Sequence, residues 1–156
     1  MVSQQTTTLE DVRIVFRNFS GAENRYNRKG DRNFSVVLTK ELADQLAQLG
    51  YNVKTRPPRE EGDEPLIHLA VKVKFPENGR PPRVVLISSS GRRNLDEDSI
   101  GILDWADIQT VDMIIRPFQW ELNGDTGITA YLNAIYVTIR EDDLERKYST
   151  FEGETN

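Results

Sequence analysis

A chain of 156 residues has the length of one ordinary domain. It contains no Cys, which excludes a disulfide framework and every thiolate metal site. Its 20 Lys and Arg against 25 Asp and Glu give a net charge of −5, a sum that by itself argues against a polyanionic ligand. The charge is unevenly spread. Residues 1–93 carry 16 basic and 11 acidic side chains, whereas residues 94–156 carry 4 and 14. That asymmetry predicts one basic surface and one acidic face or tail.

Residues 1–8 (MVSQQTTT) are polar and are expected to be a flexible N-terminus. They lack the basic and apolar segments of a signal peptide. No apolar run approaches the ~20 residues of a membrane helix, so a soluble, cytoplasmic protein with no membrane contact is expected. From Asp11 the chain alternates, with Val12, Ile14 and Phe16 on one side of a strand and Arg13, Val15 and Arg17 on the other. Residues 20–32 (SGAENRYNRKGDR) have the composition of a loop. Residues 33–38 form a second strand. At 39–49 the spacing becomes helical, with Leu42, Leu46 and Leu49 on one side, Thr39 as N-cap and Gly50 just past the end.

Residues 51–56 predict a short strand ended by Pro57 and Pro58. Residues 66–75 alternate most clearly: Ile67, Leu69, Val71, Val73 and Phe75 face inward, His68, Ala70, Lys72 and Lys74 outward. A further strand at 83–88 runs into a loop, SSSGRRN. One or two helical turns are expected within 96–106. Two long strands, 110–122 and 128–140, flank the hairpin signal NGDTG. Residues 141–156 hold six acids and two bases and read as an acidic C-terminal tail. Six or seven strands with one inserted helix make a mostly β domain over residues 9–140. An OB-like small barrel is the first expectation and a β-sandwich the alternative.

Catalytic parts are scarce. His68 is the single His, and no phosphate-cradling glycine loop is present. No enzyme activity, metal or cofactor is expected. The rival reading is a magnesium-dependent nuclease built on Asp96, Asp98 and Asp112, drawn from a wider set with Glu97, Asp104 and Asp107. Asp112 is odd in an apolar strand and predicts a buried Arg partner or a bulge. Trp105, Phe118, Trp120, Tyr131 and Tyr136 read mostly as core. The odd spacing of Tyr131 and Tyr136 puts one of them outside, and Trp120, at a strand end, could be partly open.

Single-strand binders combine a cationic groove with aromatic faces. Residues 13–34 have that mixture: Arg13, Arg17, Arg25, Arg28, Lys29 and Arg32 are interleaved with Phe16, Phe19, Tyr26 and Phe34. Tyr26, in a polar loop, and Phe19 are the expected base-stacking residues. Lys72, Lys74, Arg80, Arg83, Arg92 and Arg93 form a second basic cluster, one stripe if the two strands pair. The predicted ligand is single-stranded DNA, bound without sequence preference. Arg13, Arg17, Arg28, Lys29, Arg32, Lys72, Lys74, Arg92 and Arg93 are expected on phosphates. The stronger rival, ahead of the nuclease, is a protein-binding module, such as a phage inhibitor that mimics nucleic acid with its acidic half.

The runs FRNFSG…YNRKGDRNFSVVL (16–38), GYNVKTRPP (50–58) and VDMIIRPFQWEL…GITAYLNAIYVTI (111–139) are similar to bacteriophage-encoded single-stranded DNA-binding proteins of the T7-like helix-destabilising type. The resemblance covers residues 9–156. It implies an OB fold, a role in DNA replication and recombination, and contacts of the acidic tail with replication or recombination proteins. A homodimer is an open option. The tail ends in Thr155 and Asn156, without the terminal aromatic of some relatives.

Overall fold

In a computed structural model, which describes residues 5–25 and 27–140, eight strands, one helix and a short 3-10 helix are arranged around one core. The strands are β1 (Thr7–Asn18), β2 (Arg32–Val37), β3 (Lys54–Arg56), β4 (Leu66–Val73), β5 (Arg83–Ser88), β6 (Gly91–Leu95), β7 (Ile108–Leu122) and β8 (Asp125–Ile139). The helix α1 is Lys40–Gln48, and the 3-10 helix is Ile100–Asp104.

Pairing closes a ring. β1 pairs with β2, β2 with β4, β4 with β8, β8 with β7, and β7 back with β1. The β4–β8 junction is the parallel seam, at Val71 opposite Ala130 and Lys72 opposite Tyr131. This five-stranded closed barrel carrying one helix is the expected OB-like fold, and it overturns the sandwich alternative. β3 continues the edge of β4, and the β5–β6 hairpin continues that of β8. Residues 91–94, expected as loop, belong to the second arm of that hairpin, which runs to Leu95.

The inward residues follow the alternation. Leu69, Val71 and Val73 of β4 are buried, as are Val111, Met113 and Ile115 of β7 and Leu132 and Ile135 of β8. Each fully buried aliphatic side chain contributes ~1.5–3 kcal/mol. Thr39 caps α1 by accepting from the Leu42 amide at 3.2 Å, as expected. The helix buries Ala43 and Leu46. Leu49 is exposed, because it is the C-cap residue and has left the buried stripe. The β7–β8 hairpin turns on Asn123 and Gly124 alone, both at positive φ, the backbone a type I′ turn requires.

Four register shifts break the pairing, and one lies at Gln109, between Ile108 and Thr110 of β7. Asp11 (φ 51°) bulges between Leu9 and Val12, and its amide donates to Asp112 Oδ1 at 2.7 Å, so Asp112 stands at a bulge. Phe16 (φ 52°) lies where the β1–β2 register shifts. Ile14 is buried, but Phe16 is half exposed, against the expected shared face. Asn133 is the extra residue where Ile114 pairs with Ala134 and Ile115 with Leu132. Thr7 and Thr8, expected to be flexible, pair with Ile115 and Ile114. Residues 1–4, Tyr26 and 141–156 lie outside the described residues, and with them the acidic tail.

Candidate nucleic-acid interface

The outer barrel wall over β4, β8 and β7 gathers side chains that the sequence keeps far apart. Directly opposed residues of neighbouring strands project to the same side. Asn33, Lys72, Tyr131 and Arg116 therefore form one outward row across four strands. The Tyr131 ring centre lies 5.1 Å from the Arg116 guanidinium carbon, 5.6 Å from Lys74 Nζ and 5.2 Å from the Phe118 ring centre. Phe118 opposes Thr129 and Trp120 opposes Gly127 along the same hairpin. Phe118 is 46% and Trp120 41% exposed. Trp120 lies so close over Gly127 that a Cβ there would collide with its ring, which holds the indole flat on the strand. Tyr131, Phe118 and Trp120 thus make an open aromatic stripe.

Cations border the stripe. Lys74, Arg80, Arg83 and Arg116 share a cleft of about 370 Å³ with Tyr131 and Asn133. A second cleft, of about 580 Å³, takes in Asn27, Arg32, Lys72, Lys74, Phe75 and Glu97. Positive charge that tracks a backbone, beside aromatic faces that receive bases, is what a single strand requires.

The expected site residues divide. Lys72 and Lys74 are exposed on this wall. The pairing of β2 with β4 brings Arg32 beside them, so the two basic segments meet there. Arg32 is also a structural clamp: it donates to the Phe19 carbonyl at 2.6 Å and lies over the Phe75 ring. Arg28 and Lys29 are exposed in the loop before β2, which is closed by Gly30 donating to Gly21 at 2.8 Å. Tyr26, in the same loop, lies outside the described residues.

Several expectations are corrected. Phe19 is fully buried and stacked on Phe34 at 4.9 Å, so it is a core residue and offers no face to a base. Arg17 lines the same cleft as Arg13 but is only partly exposed, and its guanidinium is taken up by the main chain. The left-handed backbone at Phe16 turns it inward, where it donates to the carbonyls of Leu103 (2.9 Å) and Ala106 (2.8 Å). Arg13 is exposed on β1, in a cleft with Asp11, Asp107 and Arg140. β4 and β5 do not pair; both flank β8. Arg92 and Arg93 lie on β6, two strands away from β8, so the second cluster is not one stripe.

The aromatic stripe was largely missed. Tyr131 and Tyr136 both face outward, opposite Arg116 and Asp112, because the Asn133 bulge cancels their odd spacing. Trp105, also expected in the core, is 89% exposed. Three of the carboxylates suggested for a nuclease, Asp96, Asp104 and Asp112, are spent on backbone amides. Asp104 accepts from the amides of Phe19 (2.6 Å) and Ser20 (3.1 Å), and Asp112 from Asp11. Asp96 accepts from Ser99 and Asp98, and the Ser99 hydrogen bonds hold its carboxyl below the usual value. No group of three or more potential metal ligands occurs among the described residues. His68 rests its Nδ1 3.2 Å from Ser35 Oγ; burial, then Lys54 and Arg56, lower its pKa.

The sequence matches a family model described as "Putative phage ssDNA-binding domain" over residues 2–154, nearly its whole length. The chain belongs to this family. The family model describes a DNA-binding domain rather than an enzyme, and it gives the nuclease reading no support. Among solved structures, this family member is similar to the single-stranded DNA-binding protein of bacteriophage Enc34. The TM-score is 0.56 at 12% identity, over 88% of this chain and 82% of that one. The Enc34 protein in complex with single-stranded DNA matches at TM-score 0.50 and 14% identity, over 88% and 87% of the chains. The single-stranded DNA-binding protein gp2.5 of bacteriophage T7 matches at 0.47 and 9%, over 90% and 89%. The two Enc34 likenesses show the barrel fold. No curated protein matches the sequence. No helix among the described residues is long and apolar enough to cross a membrane.

Proposed function

We propose that this phage single-stranded DNA-binding protein holds its ligand on the outer wall of β4, β8 and β7, without sequence preference. Bases stack on Tyr131, Phe118 and Trp120. Phosphates lie against Lys72, Lys74 and Arg116, with Arg28 and Lys29 at one margin. The observation that carries this reading is Tyr131, an outward aromatic with two cations within 6 Å of its ring. In the free protein the cations occupy the π surface. On binding, bases replace them and the cations turn to phosphates. Each stacked base is worth ~1–3 kcal/mol, and counterion release makes affinity fall with salt.

In this reading residues 9–140 form the binding domain and 141–156 a tethered polyanion that competes for the basic wall and contacts replication or recombination proteins in the host cytoplasm. Fluorescence anisotropy of labelled oligo-dT at about 50 mM and about 200 mM salt tests it. The expected result is binding that weakens with salt, prefers the single strand over a duplex, and tightens when the chain is truncated after Arg140. No binding by either form would sink the proposal and favour the protein-binding rival.

A further inference from the structure

β4 continues past the aromatic stripe, and its outward residues lead to a second aromatic on the same wall. Ala70 and His68 follow Lys72 at alternate positions, and His68 stands opposite Lys54 of β3. Over this end lies Phe16. Its backbone is left-handed, at φ 52°, a conformation that is a genuine outlier for a bulky side chain. Such strain persists only where the surroundings impose it, and it gathers at functional sites. Here it turns a β1 aromatic outward, half exposed, instead of into a core that the strand's alternation offered it.

The surroundings of Phe16 repeat the chemistry around Tyr131. The Arg56 guanidinium carbon lies 5.5 Å from its ring centre, and the His68 ring meets it edge-on at 5.5 Å. Lys54 adds a third basic group on the neighbouring strand. His68 and Lys72 are four residues apart on β4, about 13 Å along the wall. One extended strand can therefore run from Tyr131 past Lys72 to Phe16 without leaving the surface.

We propose that Phe16 is a second nucleobase-stacking subsite, with Arg56 and Lys54 as its phosphate contacts. The inference rests on the binding wall proposed above. Arg56 covers the ring in the free protein and gives way to a base when DNA binds. His68 edges the ring and, bonded to Ser35, fixes its orientation.

The test compares wild type, F16A, F16L, F16Y and Y131A by anisotropy with oligo-dT of about 16 nucleotides, the long end of the site sizes of one OB barrel. Urea melts check that each variant folds. F16A and F16L are expected to weaken binding about 5-fold to 150-fold, the loss of one stacked base. F16Y keeps the π face and is expected to retain wild-type affinity. F16L fills the same space without that face, so its loss cannot be ascribed to packing. Wild-type affinity in F16L, with Y131A weakened, would overturn the Phe16 subsite and leave the main wall standing. Failure of wild type to bind would overturn both.

Discussion

Arg17 and Arg32 in the first basic segment, and Lys72 and Lys74 in the second, are all cations on or beside β-strands, yet they do different work. The two arginines aim their guanidiniums at main-chain carbonyls: Leu103 and Ala106 for Arg17, Phe19 for Arg32. The two lysines stay exposed beside Tyr131. A guanidinium with five fixed donors suits the job of tying loop carbonyls together, whereas a lysine on a flexible stem remains available to a phosphate. Aromatics divide in the same way. Phe19 fills the core against Phe34, and Tyr131 and Phe118 face solvent. A basic, aromatic-rich segment is thus not itself a binding site; what counts is which donors and faces folding leaves unspent.

The largest expected effect separates the two aromatic sets. Phe19→Ala should lower stability by about 3–5 kcal/mol, as for a fully buried Phe. Urea denaturation measures this loss, and a stable F19A protein would contradict the burial. Tyr131→Ala should instead weaken DNA binding by ~1–3 kcal/mol while costing far less stability. Equal effects of the two substitutions on affinity would erase the distinction.

Next comes the cation pair. Arg17→Ala removes two charged hydrogen bonds and should destabilise the fold by about 1.5–3 kcal/mol, leaving the salt dependence of binding unchanged. Lys72→Ala and Lys74→Ala should leave the melt nearly unchanged and flatten the log–log salt slope by about 0.7 for each phosphate that is no longer neutralised. Salt titrations of the three variants decide between clamp and phosphate ligand. An R17A slope that falls like those of the lysine variants would make Arg17 a phosphate ligand after all.

The smallest effect concerns His68. Burial and the neighbouring Lys54 and Arg56 depress its folded pKa below the ordinary value of about 6.5. The unfolded state therefore binds the proton more readily. Stability is full above about pH 6.5 and declines as pH falls from there toward the lower folded pKa. Urea midpoints between about pH 7.5 and pH 5 should fall in wild type and fall less in His68→Gln. Parallel profiles would show that His68 does not contribute.

Much of the fold was legible because its signals are local. The alternation in residues 66–75, the Thr39 cap and the Asn123–Gly124 turn each act over a few residues, and each element formed where those signals stand. The site was less legible. Lys72 and Lys74 could be placed outside by parity alone. So could Arg116, Phe118 and Trp120 on β7, opposite in parity to the buried Val111, Met113 and Ile115, but Tyr131 could not. The bulge at Asn133 resets parity in β8, and a bulge carries no strong sequence signature.

The sequence by itself determined that the chain is a cysteine-free, mostly β domain with one capped helix, a basic first part and an acidic end. It also set the inward face of β4. Those are matters of composition and short-range periodicity. Only the tertiary structure decided that β4 closes against β8, which lays Lys72 beside Tyr131 although the two stand far apart in the chain. It alone decided that Arg17 and Phe19 are spent inside while Phe16 is turned outward. Those outcomes depend on long-range pairing and on backbone irregularities at Asp11, Phe16 and Asn133, which neighbouring residues along the chain do not encode.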